Sequence, residues 1–299
     1  MAKQSEILFL WDVENSNPNG DILRDNAPRY DEISGRALVS DVRIKRTIRD
    51  DLNIRKGKEI FVKEQKLEKG LADGTTRVET LTENSKNKVE TLIEKCIDVK
   101  AFGGVFPIKN KSYNLTGAMQ FKMSKSIHRV DEPTLIKGTG AFASTKGKEN
   151  KTFREEYILP YAMFGTYSIT SELSSKESKL ENSDVDEIIN SLWIGTKNLT
   201  TRSKFGQLPR FLLKITYNQS GFFIGELDNK LKIESKVAQE SEIRSLDDFD
   251  IDFSKLFNSL EKYKKYIDKI EYIIDDRFRD SFESKKAIPK DWIEYDISF

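Results

Sequence analysis

The sequence predicts an α+β fold: a ferredoxin-like antiparallel sheet with helices on one face. Three observations lead there. Residues 6–13 are a nearly continuous apolar run, Ile7, Leu8, Phe9, Leu10 and Trp11, as expected of a strand buried on both faces. Residues 117–126 (GAMQFKMSKS) alternate. Met119, Phe121 and Met123 point one way, and Gln120, Lys122, Ser124 and Ser126 the other, which is the period of two of a strand. The order of elements is strand, helix, strand, strand, then strand, helix, strand, and with its insertions removed it gives a split βαβ plan. That plan leaves one sheet face under helices and the other polar and open, the face that RNA-recognition modules use. Topology alone assigns no function.

Taken in order, residues 36–52 read as a helix that starts after Ser34 and Gly35. Residues 54–95 are charged and weakly periodic, with a turn at GLADGTT and a helical stretch at 86–97. They are expected to be an insertion on the core. Residues 96–102 form a second strand candidate ending at FGG. Residues 131–156 are turn-rich, and 157–169 return to an apolar, aromatic strand. A polar linker, SSKESKLENSD, leads to a helix over 184–198 with Ser183 as its N-cap. RFLLKITY, NQS and GFFIGEL read as a β-hairpin. Phe253, Leu256, Phe257, Leu260, Tyr263, Ile267 and Ile270 mark one face of a late helix.

The 299 residues carry 50 Lys and Arg against 49 Asp and Glu, a net charge of +1. This excludes a uniformly basic nucleic-acid binder, so any basic surface must be local. The single cysteine, Cys96, excludes an internal disulfide framework and fits a reducing cytosol. It is expected to be a small buried residue. The N-terminal apolar run is too short for a signal peptide. No stretch approaches the roughly 18 apolar residues of a membrane span. The expectation is a soluble, cytoplasmic protein with no cofactor.

Residues 11–50 carry the chemistry, and they admit two readings. Asp12, Glu14, Asp21, Asp25 and Asp31 lie close in sequence, and carboxylates can hold Mg²⁺ for phosphodiester cleavage. The loop NSNPNGD, however, has the residues of a turn: Asn tolerates left-handed backbone, Pro fixes φ and Gly20 permits positive φ. It lacks the regular acidic spacing of a calcium loop. The following segment places Ala37, Leu38, Ile44, Ile48 and Leu52 on a buried arc. Arg36, Ser40, Arg43, Arg46 and Thr47 lie opposite. Lys45 and Arg49 sit at the margin, where long side chains reach outward. This cluster of cations and hydroxyls favours phosphate over a merely solvated face.

The segments DVENSNPNGD, GRALVSDVRIKRTIRD, DVKAFGG, TGAMQFKMSKSIHRV and LPYAMFGTYSI, in this order, resemble the backbone subunit of type I-B CRISPR Cascade complexes, within the RAMP superfamily. The resemblance spans residues 10–217. The insertion 54–95 and the tail beyond 230 add little to it. It implies a non-enzymatic subunit: an RRM-like palm over residues 1–299, a helical finger insertion at 54–95 and a β-hairpin thumb at 131–156. It implies copies stacked head to tail along one guide RNA (crRNA), which is presented to a target DNA strand, alongside other Cascade subunits.

Carried over by motif, Ser40, Lys45 and Arg49 match RNA-backbone contacts, with Arg36, Arg43 and Arg46 as neighbours. Asn17, Asn19 and Gly20 match a loop beside the RNA. Phe102 and Gly103 match a strand end, where Gly lets backbone approach a phosphate. Gln120, Ser124 and Ser126 would offer the open sheet face. In the thumb, Phe142, Phe153 and Arg154 are candidate contacts, the aromatics against a base and the cation against phosphate. Two other classes stay open. One is a RAMP-type ribonuclease using Asp21, Asp25 or Asp31, or the lone His128. The other is a generic single-strand RNA-binding module.

Overall fold

The computed structural model describes residues 1–68, 70–108, 111–139, 153–285 and 288–297, with backbone only at 139, 153–154, 281 and 283–285. The chain begins with β1 (Ser5–Ser16), the short β2 (Gly20–Asp21), β3 (Ala27–Pro28) and β4 (Tyr30–Asp31), then β5 (Arg36–Val39) and α1 (Asp41–Ile54). Helices α2 (Gly74–Leu81), α3 (Lys88–Lys95) and α4 (Ile97–Phe102) precede the hairpin of β6 (Gly103–Ile108) and β7 (Lys111–Thr116). Next come β8 (Met119–Phe121), β9 (Ser124–Ser126), β10 (Thr134–Thr139) and the long β11 (Phe153–Thr170). They are followed by α5 (Glu172–Ser178), α6 (Asn182–Lys197), β12 (Gln207–Tyr217), β13 (Lys232–Ser235) and β14 (Phe249–Asp252). The chain ends with α7 (Ser254–Lys262), β15 (Ile267–Ile274), α8 (Asp276–Lys285) and β16 (Ile293–Glu294).

The architecture is α+β, built on an antiparallel-dominated sheet. Strand β1 lies at its centre, paired antiparallel with β11 (Leu8 opposite Tyr167) and with β12 (Leu8 opposite Leu213). Strands β8 and β9 pair with the far side of β11. The core order is therefore β12, β1, β11, then β8 and β9. The apolar run of β1 is explained by burial on both faces. Ile7, Phe9, Trp11 and Val13 meet Ile44, Ile48 and Leu52 of α1 and Val185, Ile188 and Leu192 of α6. Trp11 stacks on Phe164 at 4.7 Å, and its indole N–H donates to Thr166 Oγ1 at 2.9 Å.

Leu8 and Leu10 face the other way, with Tyr161, Met163, Phe211 and Leu213, and meet Phe249, Ile251, Phe253, Leu256, Phe278 and Phe282. The expected open face is thus covered by the C-terminal chain. The apolar face at 253–260 was read as part of a late helix, but its place over the sheet was not, because the layer's other apolar residues are spread over short pieces. Residues 221–226 are not a strand, and the predicted late helix ends at Lys262, with the chain entering β15 at Ile267. Two buried carboxylates of β1 hold this layer. Glu6 accepts from the hydroxyls of Tyr167 and Tyr217 and from the amides of Ile224 (2.7 Å) and Gly225 (2.8 Å). Asp12 accepts from Tyr161 Oη at 3.0 Å and Arg210 Nε at 2.9 Å, and Arg210 Nη1 reaches Asp275 at 2.8 Å.

Other expectations are corrected locally. Residues 36–39 are the strand β5, paired with β9, and α1 starts only after Ser40. Residues 97–102 are helical despite β-branched Ile97 and Val99, and the strand begins at Gly103. The 117–126 strand is broken between β8 and β9, so Met123 is 44% exposed and leaves the apolar row. The linker contains α5. Helix α6 is capped by Glu181, whose backbone N–H donates to Asp184 at 2.9 Å, which puts Ser183 inside the first turn. Residues 61–115 build a small core of their own, with Phe61, Val78, Leu81, Leu92, Ile93, Val99, Phe106 and Leu115. Among the described residues no helix is long and apolar enough to cross a membrane.

Candidate nucleic-acid interface

Helix α1 lies along one side of an open groove of ≈ 970 Å³, and residues 61–64 and 71–77 form the other side. Ser40, Arg43, Arg46 and Arg49 all line it. Ser40 caps the helix, and Arg43, Arg46 and Arg49 follow at intervals of three, so each lies beside the next on the helix surface. The inner face of α1 is fixed by Ile44, Ile48 and Leu52 in the core. Folding therefore turns this basic side of the helix away from the core. Arg29, Lys63 and Arg77 join them, so the lining side chains include more cations than the acids Asp50, Glu64 and Asp73, although several of these cations pair with acids just behind the surface.

Asn19 fixes the loop to the helix start: its Oδ1 accepts from the Ser40 amide at 2.8 Å and the Ser40 hydroxyl at 2.9 Å. Arg43 donates from Nε to Pro18 O at 3.1 Å and from Nη1 to Thr47 Oγ1. Burial, the largest cause, lowers its pKa to about 10. Arg46 is 71% exposed at its side chain, with Asp50 3.5 Å away. Arg49 Nε donates to Asp98 Oδ2 at 2.8 Å, and its guanidinium lies 5.0 Å from the Phe102 ring centre.

Lys45 does not line this groove. It is buried, with Nζ 3.1 Å from both Asp41 Oδ2 and Gln120 Oε1 and 5.7 Å from the Phe102 ring centre. Gln120 is exposed and holds Lys45. Arg36 belongs to β5, and its Nη1 donates to Ser126 O at 2.7 Å. Ser124 and Ser126 are buried, contrary to the open-face expectation. Ser124 shares a 2.6 Å bond with the Thr166 hydroxyl. Ser126 Oγ donates to His128 O at 2.7 Å and accepts from the Ala37 amide at 3.1 Å. Both serve strand pairing. Phe102 is buried edge-on to Phe121 at 6.1 Å.

The two glycines act through close approach. Gly103 has φ +72°, and a Cβ there would lie 2.2 Å from Leu115 O, so its role is packing the β6–β7 hairpin. Gly20 does not have positive φ. A Cβ there would meet Asn26 Oδ1 at 2.0 Å. Positive φ falls instead on Asn15, Asp25 and Asn26. Gly20→Val is expected to displace Asn26 and open the loop, read as faster proteolytic cleavage within residues 15–30. Asn17 is buried. Its Nδ2 donates to Asn26 O at 2.7 Å, and its Oδ1 has no partner among the described residues. It lines a second depression of ≈ 450 Å³ with Tyr157, Arg202 and Ser203.

Next to that depression lie residues the sequence reading missed. The Asn17 amide donates to Ser203 O at 2.7 Å, and Lys204 Nζ donates to Asn17 O at 2.9 Å. Burial first, then Arg43 and Arg46, lower the Lys204 pKa to about 8. Phe205 beside it is 69% exposed. The signal was present in TTRSKFG, where cations flank an aromatic. Only the pairing of β1 with β12 brings it to the loop.

His128 is buried between Arg129 O (2.7 Å from Nδ1) and the Met163 amide, which donates to Nε2 at 3.1 Å. Burial pulls its pKa down to about 4. It is a neutral clamp between strands. Asp21 accepts from the Leu23 amide at 3.2 Å, and Asp31 from the Ser34 hydroxyl and the Ile33 amide. Among the described residues no three His, Cys, Asp or Glu are placed to share a metal ion. Phe142 lies outside the described residues. Phe153 and Arg154 lie in the hairpin arm of β11 paired with β10, opposite Thr139 and Gly138.

The model of one protein family, CRISPR-associated protein Cas7, matches residues 3–254. The chain belongs to this family. A relative from Haloferax volcanii, "CRISPR-associated protein Cas7", is 29% identical over 301 residues, covering 92% of this chain and 87% of its own. Two solved chains share the fold. One, from a "CRISPR RNA-guided surveillance complex, pre-nicking", aligns with a TM-score of 0.57 at 12% identity, over 99% of this chain and 96% of that one. The other, from a "CRISPR RNA-guided surveillance complex", has a TM-score of 0.54 at 13% identity, over 99% and 95%. Helix α7, strand β15 and helix α8 lie almost wholly beyond the family match.

Proposed function

We propose that the chain is a non-catalytic crRNA-binding backbone subunit of a Cascade-type surveillance complex, of the type I-B kind its motifs resemble, working in the cytoplasm. The observation that carries this reading is the alignment of Ser40, Arg43, Arg46 and Arg49 along one groove, within a chain of the Cas7 family. Such a row suits successive phosphates, while sequence reading is left to base pairing, the general logic of RNA-guided recognition. Strands β12, β1, β11 and β8–β9 with α1 and α6 act as an RRM-like palm. The insertion acts as the finger, and the β10–β11 hairpin as the thumb, with Phe153 and Arg154 on its β11 arm and Phe142, outside the described residues, as a further candidate contact. Lys204 and Phe205 extend the basic strip with a stacking surface. Copies associate head to tail, a heterologous contact that builds open helical assemblies, and the bases are left for a target DNA strand.

Sedimentation on single-stranded RNAs of increasing length tests this. The number of bound copies should rise stepwise with length, and the RNA should stay intact in Mg²⁺. A single copy at every length contradicts assembly. Cleavage abolished by alanine at Asp21, Asp25 or Asp31 would restore the ribonuclease reading.

Lys204 adds a pH dependence. Its pKa near 8 lies below the ordinary lysine value, and a bound phosphate favours the charged form. Binding should therefore take up a proton, and affinity should fall as pH rises through about 8. Lys204→Arg, which cannot deprotonate in this range, should flatten that fall.

A further inference from the structure

The carboxylate of Asp98 is buried at the start of α4 and engages three donors from two parts of the fold. It accepts from Arg49 Nε at 2.8 Å on α1, and from the backbone amides of Phe61 at 2.8 Å and Val62 at 3.1 Å in the insertion. With Nε held, and the guanidinium lying against Phe102 at 5.0 Å, the plane of Arg49 is fixed. Neither Nη group of Arg49 has a partner among the described residues, and the side chain lines the groove. Two parallel N–H groups on a fixed plane are the geometry of a bidentate phosphate contact.

We propose that Asp98 is a positioning residue that couples RNA grip to the placement of the insertion: it aims Arg49 into the groove and ties the same guanidinium to the Phe61–Val62 backbone. The proposal rests on the groove being the RNA site. The carboxylate is one shared acceptor, so ordering Arg49 on a phosphate also orders the two amides across from it. A bare surface arginine would bind phosphate with no consequence for the insertion. Phe61 and Val62 themselves border the groove, so the segment held by Asp98 forms part of its far wall.

The test uses the full chain and a synthetic oligouridylate, with affinity measured across a salt series for wild type, Arg49→Ala, Asp98→Asn and the double variant. Arg49→Ala should weaken binding and reduce the salt slope by roughly 0.7, one phosphate contact. Asp98→Asn should weaken binding several-fold in the presence of Arg49 and add nothing once Arg49 is gone. Equal losses from Asp98→Asn in both backgrounds, or no loss in a folded variant, overturn the proposal. No effect of Arg49→Ala instead overturns the RNA-site reading, so the two failures are distinct. A readout that leaves Asp98 intact guards against misfolding of its variant. Hydrogen exchange at the Phe61 and Val62 amides should slow several-fold when wild type binds RNA, and not when Arg49→Ala does. Unchanged exchange in wild type overturns the coupling.

Discussion

Alanine at both Arg46 and Arg49 lowers the affinity for single-stranded RNA by on the order of a hundredfold. Each lost charge-assisted bond is worth about 1.5 kcal/mol or more, close to tenfold. The slope of log affinity against log salt falls by roughly 1.4, two phosphate contacts' worth. Arg46 carries the cleaner test, because its side chain is largely exposed and its ion pair with Asp50 is exposed too. Such pairs contribute little to stability. Arg49→Ala also leaves the buried Asp98 without its cation, so thermal unfolding must be recorded beside binding. Lys45→Ala is the contrast. Lys45 is buried between Asp41 and Gln120, so its loss should lower stability with a smaller change in salt slope. Unchanged binding by a folded Arg46→Ala, Arg49→Ala variant would remove α1 from the interface.

Arg210→Met destabilises the fold by about 3–5 kcal/mol, the range for removing one partner of a buried ion pair. Arg210 is the cation for Asp12, and both are buried on the sheet face under the C-terminal layer. Burial raises the Asp12 pKa and is its largest cause; Arg210 opposes it. Among the described residues, removing Arg210 leaves that carboxylate held by Tyr161 Oη alone. Adding Asp12→Asn should recover part of the loss, because the uncompensated charge is gone. Denaturant midpoints read both effects. A folded Arg210→Met protein should retain the wild-type salt slope for RNA, since Arg210 does not line the groove. A loss below about 1 kcal/mol would show that the pair does not hold the layer as described.

The central strand, both principal helices and the basic helix face were legible in the sequence because each has a strong local period. The apolar run of β1 is matched by its burial on two faces, and Ile44, Ile48 and Leu52 fall on the core side of α1. The Cas7 family was legible from motifs such as NPNGD and the α1 segment. What escaped depends on distant pairing. Residues 36–39 take strand form because β9 is there to pair with them, a tertiary contact that overrides a helical pattern. Ser124 and Ser126 carry a polar alternation, yet their hydroxyls bond within the sheet rather than outward. The place of the covering layer was hidden because Phe249, Phe278 and Phe282 come from β14 and α8, neither with a long period.

The candidate site shows the same division. The cluster on α1 was readable as a cluster, but its split was not. Arg49 joins Arg43 and Arg46 in the groove, and Lys45 turns to Asp41 and Gln120. Lys204 and Phe205 lie far along the chain from Asn17, and the pairing of β1 with β12, continued by the Asn17–Ser203 backbone bond, places them beside it.

Photo-crosslinking of 4-thiouridine RNA to the assembled chain, followed by peptide mapping, tests the central claim most directly. RNA lying along the groove and the adjoining depression should crosslink within residues 17–49 and 199–206, with residues 61–74 as the far wall. Crosslinks concentrated in residues 222–297, on the layer over the opposite sheet face, would contradict it.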